Sequence, residues 1–333
     1  MSSDTDWNSN VSGGFGQHNA ETDEYYHRTG AVGDSMTETW FWNFHVPEAA
    51  INCYIYCWAH PNLDVVSAGL FIYKGRKSQH LECELFDFYN FMSASVIGDG
   101  SHIRLPNGLS IDVIKPLEHI ELHFDDPSRD TCFKVTLRDV APPIMRANNQ
   151  HFEQLMHASG SLRLRGDDYT VDCLPVRDRS WGELRPEAGV SAPPYTWVTG
   201  SFGKDFAFNV GAHDDPALSP EWLGVVPVPD RLFKDGWVLV KGEQRRIVAA
   251  SKITRREFPL CSPVDHQYEF TDSSGETYRI TGRVIAQTKW SGWSNMICHL
   301  GLVEWSWEGR TGYGETQEVH WNDYVWKINQ PPK

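Results

Sequence analysis

Apolar and polar residues alternate with a period of two again and again along this chain, a pattern that half-buried β-strands satisfy and amphipathic helices do not. Phe133, Val135 and Leu137 follow it, as do Tyr169, Val171 and Cys173, then Phe206 and Phe208, then Tyr278 and Ile280. Clusters that reverse a chain lie between these runs: Arg165-Gly166-Asp167-Asp168, Lys241-Gly242-Glu243 and Asp272-Ser273-Ser274-Gly275. They sit where hairpins would turn. The aromatic load, with 14 Trp, 12 Tyr and 16 Phe, argues the same way, because rings suit pleated, half-buried surfaces. Helix signals are scarce. The expected fold class is therefore all-β and antiparallel, barrels or strongly bent sheets built from hairpins, with less than about a fifth of residues helical against the usual ~30%.

A chain of 333 residues can form two domains of ordinary size. A faint internal repeat supports two halves. In GDDYTVDCLPVRDRSW and GETYRITGRVIAQTKW, Gly166, Tyr169 and Trp181 correspond to Gly275, Tyr278 and Trp290. Asp178 of the first copy then corresponds to Gln287 of the second, which assigns any acid chemistry to one copy. The Pro-rich stretch PEAGVSAPP, Pro186 to Pro194, reads as a linker. The expected division is a loose leader over 1–25, an N-terminal β domain over 26–189 and a C-terminal β domain over 190–333.

Several function classes are excluded by composition. The net charge is −14 and no Lys/Arg run interrupts the acidic surplus, so nucleic acid and anionic membranes are poor partners. No stretch approaches the ~18 apolar residues of a spanning helix. The start MSSDTDWNSN is polar and acidic where a secretory signal would be basic and then apolar, which makes the cytoplasm the expected compartment. The 7 cysteines form no C-x-x-C pair, so no metal is expected, and Cys53 and Cys57 read as reduced core thiols. His60, His213, His299 and His320 are scattered without a ligand spacing. There is no G-x-S-x-G elbow, phosphate loop, H-E-x-x-H or dinucleotide fingerprint, and no cofactor is expected. In Gly309-Arg310-Thr311-Gly312-Tyr313-Gly314 the glycines read as tight turns in a β context.

The densest polar constellation is divided between His151-Phe152-Glu153-Gln154 and the run Arg177-Asp178-Arg179-Ser180-Trp181-Gly182-Glu183-Leu184-Arg185. Alternation puts His151 and Glu153 on one face, and Asp178 and Ser180 likewise. Two acid/base pairs can then converge. Arg177, Arg179 and Arg185 lie within reach of Asp178, and such cations either orient a functional carboxylate or form a structural Asp–Arg latch, closing one end of a barrel with Trp181 as its plug.

The order H-F-E-Q, then G-x-x-Y-x-V-D, then R-D-R-S-W-G-x-x-R resembles the two-domain lipocalin-like proteins that include the carotenoid 1,2-hydratases and AttH-type proteins, many of whose uncharacterised members share a D-[RH]-S-W-G-x-R core. The pattern extends from about residue 37 to about residue 325, with its specific part at 151–185. The resemblance implies two lipocalin-like antiparallel β-barrels packed together around an apolar ligand cavity. It also implies a cofactor-independent hydro-lyase, or a related isomerase or cyclase, on a hydrophobic isoprenoid-, steroid- or polyketide-like small molecule. A non-catalytic carrier of such a ligand is the alternative. Hydrating an unactivated alkene requires a strong proton donor and shelter for a developing cation. Asp178 or Glu153 can be the acid, His151 a proton relay, and Arg179 and Arg185 the orienting cations. Trp181, Tyr195 and Trp197 can supply substrate-binding rings, although core packing explains large aromatics equally well.

Overall fold

In a computed structural model, the structure describes residues 15–27, 36–184, 194–226, 231–292 and 295–330. Strands account for 63% of the chain and helix for 9%. The expected all-β class with two lipocalin-like domains holds. One compact unit comprises the described residues of 14–74 and 81–185, the other those of 75–80 and 186–333. No helix among the described residues is long and apolar enough to cross a membrane.

The N-terminal unit runs through β1 (Met36–Val46), β2 (Ile51–His60), β3 (Val65–Lys74), β4 (Leu85–Ser93), β5 (His102–Arg104), β6 (Ser110–Lys115), β7 (His119–Asp126), β8 (Thr131–Asp139), β9 (Ile144–Met145), β10 (His151–Leu164), β11 (Asp167–Cys173) and β12 (Val176–Leu184). They form one curled sheet in the order β4-β3-β2-β1-β12-β10-β8-β7-β6-β5, with β9 and β11 alongside β10. The inner face carries Trp40, Trp42 and Phe44 of β1, Cys53 and Cys57 of β2, and Phe133, Val135 and Leu137 of β8, all in one buried cluster. Burying each large apolar side chain there contributes about 1.5–3 kcal/mol. Both cysteines are free thiols. The other face of β1–β3 is buried too, with Phe41, Tyr54 and Phe71 each at 0% exposure. A strand covered on both sides loses its polar alternation, which is why INCYIYCWAH reads as a continuous apolar run. Of the expected leader 1–25, residues 1–14 lie outside the described residues, and Glu24 is fully buried.

The C-terminal unit is a closed barrel, β13-β14-β15-β16-β17-β18-β19-β20. Its strands are β13 (Tyr195–Ser201), β14 (Phe206–His213), β15 (Phe233–Val240), β16 (Glu243–Glu257), β17 (Ser262–Asp272), β18 (Thr277–Trp290), β19 (Met296–Trp307) and β20 (Arg310–Trp321); the helix α1 (Asn322–Ile328) follows. Phe208, Val210, Phe270, Ile280 and Trp305 pack inside. β13 pairs with β20 to close the barrel. That approach needs glycine, since a Cβ on Gly314 would lie 2.1 Å from the Thr199 carbonyl oxygen.

The turn clusters read from sequence are hairpin turns. Lys241 and Gly242 have φ of 51° and 85°, the paired left-handed geometry that matches the twist of the flanking strands. A Cβ on Gly242 would meet nothing within 4 Å, so Gly242→Ala should lose about 1–2 kcal/mol through backbone conformation alone. Urea unfolding measures this, and an unchanged midpoint would contradict the assigned turn.

Candidate functional site

β10 and β12 run antiparallel with His151 opposite Ser180 and Glu153 opposite Asp178. Direct cross-strand partners share a face, so the pattern-predicted His151, Glu153, Asp178 and Ser180 do come together. His151 Nε2 lies 2.8 Å from Glu153 Oε1, and Arg146 donates to the same oxygen at 3.3 Å. Ser180 and Thr39 share a hydroxyl hydrogen bond of 2.7 Å. His151 and Glu153 are buried and Asp178 half-buried. Across the neighbouring strand, Phe41 stands opposite Asp178, and its ring lies 4.7 Å from that of Tyr54. A coupled imidazole and carboxylate beside aromatic rings can move a proton where little water competes.

The two arginines flanking Asp178 go elsewhere, because alternation turns them to the opposite, inner face. Arg177 donates to both oxygens of Glu24 at 2.6 and 2.7 Å and to Gln154 Oε1. Arg179 donates to Glu38 at 2.8 Å and to backbone carbonyls of Thr39, Ser180 and Tyr25. Its guanidinium sits 3.8 Å from the centre of the Trp40 ring. Burial alone would raise the Glu24 carboxyl, but the Arg177 guanidinium and the Leu117 amide hold it below its ordinary value. A latch therefore exists, with Glu24 and Glu38 as its anions in place of Asp178. Trp181 plugs it, packed with Leu117, Met145 and Phe152 and stacked under His27 at 4.7 Å. Arg179 thus leaves the expected acid/base group for this latch, and Arg185 lies outside the described residues. Glu38 was findable, because it has the parity of Trp40 and Trp42 and so points inward, where a carboxylate requires a cation.

The C-terminal barrel holds a second charged group that no sequence spacing announced. Tyr195 and Trp197, the remaining predicted ring residues, are not part of it. Val198 points into the barrel core, so these odd-numbered neighbours point outward, Tyr195 5.3 Å from the His213 ring. Inside, Arg256 binds Glu318 at 2.7 and 2.9 Å and Asp214 at 2.6 Å. Lys252 lies 2.5 Å from Asp214 and donates to Thr196 Oγ1. Glu318 also takes Thr196 at 3.0 Å and His320 Nε2 at 2.6 Å. Trp222 covers the group, its indole N–H on Asp214 at 2.7 Å. The scattered His299 and His320 are neighbours here, with ring centres 5.1 Å apart, brought together by the β19–β20 hairpin. Among the described residues, no set of three or more His, Cys, Asp or Glu side chains is arranged to hold a metal.

A family model described as "Domain of unknown function (DUF7064)" matches residues 20–323. No curated protein matches the chain. Among solved structures, CghA with Sch210972 is similar with a TM-score of 0.56 and 13% identity, over 87% of this chain and 89% of that one. Kievitone hydratase from Nectria haematococca gives 0.55 and 10%, over 87% and 90%. An AttH-like protein from Nitrosomonas europaea gives 0.52 and 13%, over 88% and 95%. At these identities the likeness is one of fold, and it extends through both units.

Proposed function

We propose that this chain, which belongs to the DUF7064 family, is a lyase-type enzyme for a hydrophobic small molecule. It adds or removes water, or carries out a related acid/base isomerisation or cyclisation, on an isoprenoid-, steroid- or polyketide-like substrate. The observation that carries this reading is the buried His151–Glu153 pair at 2.8 Å, in register with Asp178 on a face that also bears Phe41 and Tyr54. In the hydration direction Asp178 donates its proton to an alkene carbon, water adds to the resulting cation and gives up a proton to His151, which Glu153 orients, and that proton returns to the Asp178 carboxylate; the rings stabilise the cation by about 1–2 kcal/mol each when desolvated. The shared fold with a hydratase supports the reaction class without deciding the substrate.

The test is turnover of a panel of apolar alkenes and alcohols, followed by mass spectrometry for gain or loss of one water. Asp178→Asn and Glu153→Gln keep side-chain shape and should lower kcat by about 10²–10⁴-fold while unfolding remains cooperative. Unchanged turnover in the folded variants removes these residues from the chemistry. Binding of the panel without conversion favours a carrier.

A further inference from the structure

The charges inside the C-terminal barrel are spent on one another, and the neutral groups beside them are not. Arg256 and Lys252 direct their donors to Glu318, Asp214, Thr196, Glu221 and the Thr254 carbonyl. Glu318 receives Arg256, Thr196 and His320. Among the described residues, by contrast, both ring nitrogens of His299, Nε2 of His266, Nδ1 of His320 and the hydroxyls of Tyr268 and Thr316 have no hydrogen-bond partner. All five side chains are buried, at 0–2% exposure. Leaving such groups unpaired costs about 1–3 kcal/mol each, and buried polar atoms in native proteins nearly always find a partner.

These groups form one neighbourhood. The rings of His266 and Tyr268 lie 6.2 Å apart; His266 is joined through Thr254 to Arg256, Arg256 holds Glu318, and Glu318 holds His320, whose ring meets that of His299 at 5.1 Å. Burial pushes His266 down to about 4 and His299 well below its ordinary value, so both rings are neutral, each with one donor and one acceptor nitrogen. Trp305 forms a wall 6.0 Å from both His266 and Tyr268. Lys252 and Arg256 are already paired with Asp214, Glu318 and Glu221, so a charged visitor would meet no free partner.

We propose that this polar end of the barrel is a binding site, separate from the His151–Glu153 group, for the hydroxyl or carbonyl end of a small uncharged molecule. Tyr268, His266 and His299 hydrogen-bond its oxygen, and Trp305 receives its apolar part. The probes are cyclohexanol and phenol, with benzoate and benzene as charged and oxygen-free controls, added to the full-length protein. Ring ¹⁵N resonances of His299 and His266 should shift and saturate with either alcohol and not with the controls. Tyr268→Phe removes only an unpaired hydroxyl, so it should fold, and it should weaken alcohol binding at least tenfold. His299→Leu should do the same. If neither alcohol moves these resonances up to its solubility limit, or if both variants bind as tightly as the parent, ordered water fills the site and the proposal fails.

Discussion

Arg256→Met should lower the stability of the C-terminal barrel by about 3–5 kcal/mol, the usual consequence of breaking a buried ion pair from one side. Its guanidinium joins Glu318 and Asp214, each fully buried, and reaches Glu221 at 3.0 Å. Burial by itself would lower the pKa of Arg256, and the surrounding carboxylates more than reverse that. Methionine retains much of the length and none of the charge. Two carboxylates would then share Lys252 alone, and Lys252 lies 4.0 Å from Glu318. Urea unfolding should show a lower midpoint at unchanged slope. The double variant Arg256→Met with Glu318→Gln should recover part of the loss, because the stranded charge has gone with its partner. A midpoint within error of the parent would mean that the cluster is solvated and the barrel does not depend on it.

Acid should destabilise both units well before ordinary carboxylates titrate. Burial holds His45 in the N-terminal unit and His266 in the C-terminal unit at about 4, against about 6.5 in an unfolded chain. Both are neutral in the native state. As pH falls below about 6.5 the unfolded chain takes up protons that the folded one refuses, so stability declines until pH approaches 4. The difference amounts to about 3 kcal/mol per histidine across that window. His299 acts in the same direction. Glu24, Asp214 and Glu318, whose native pKa values are lowered, add a further loss only at lower pH, as the unfolded carboxylates begin to protonate. Unfolding free energy measured from pH 7 to pH 4.5 should fall with a slope of about three protons near pH 5. A flat profile through that range would mean that these rings are hydrated in the native protein.

How much of this was legible depends on the distance over which each signal acts. Alternation is local, so Phe133, Val135 and Leu137 declared their strand and their face at once. Turn chemistry is local too: Gly166 and Gly275 have φ of 93° and 90°, and the repeat that begins at each leads through a strand to Trp181 and Trp290. In the first copy that strand breaks between β11 and β12, and in the second β18 carries a bulge between Val284 and Ala286, at nearly corresponding places. The convergence of His151, Glu153 and Asp178 followed from parity once the two strands paired. Ion-pair choice did not, because Arg177 finds Glu24 across 153 residues and Arg179 finds Glu38 across 141. Sequence proximity favoured Asp178 for both, and the pleat turned them away from it. The same limit hid the barrel cluster, whose members Asp214, Lys252, Arg256 and Glu318 come from separate segments and carry no spacing that a local reading can detect.

The pairing of β13 with β20 also sets an order of events. β20 supplies both the closing hydrogen bonds and Glu318, the carboxylate that Arg256 grips with two bonds. At about 5–20 residues per second, synthesis leaves β13 on the order of ten seconds ahead of its partner, with an open edge and with Arg256 lacking Glu318. Partial barrels therefore have neither a sealed rim nor the completed ion-pair group. The domain is poorly suited to folding strand by strand, and its formation is tied to the emergence of its final strand, a long-range contact of the kind that slows folding.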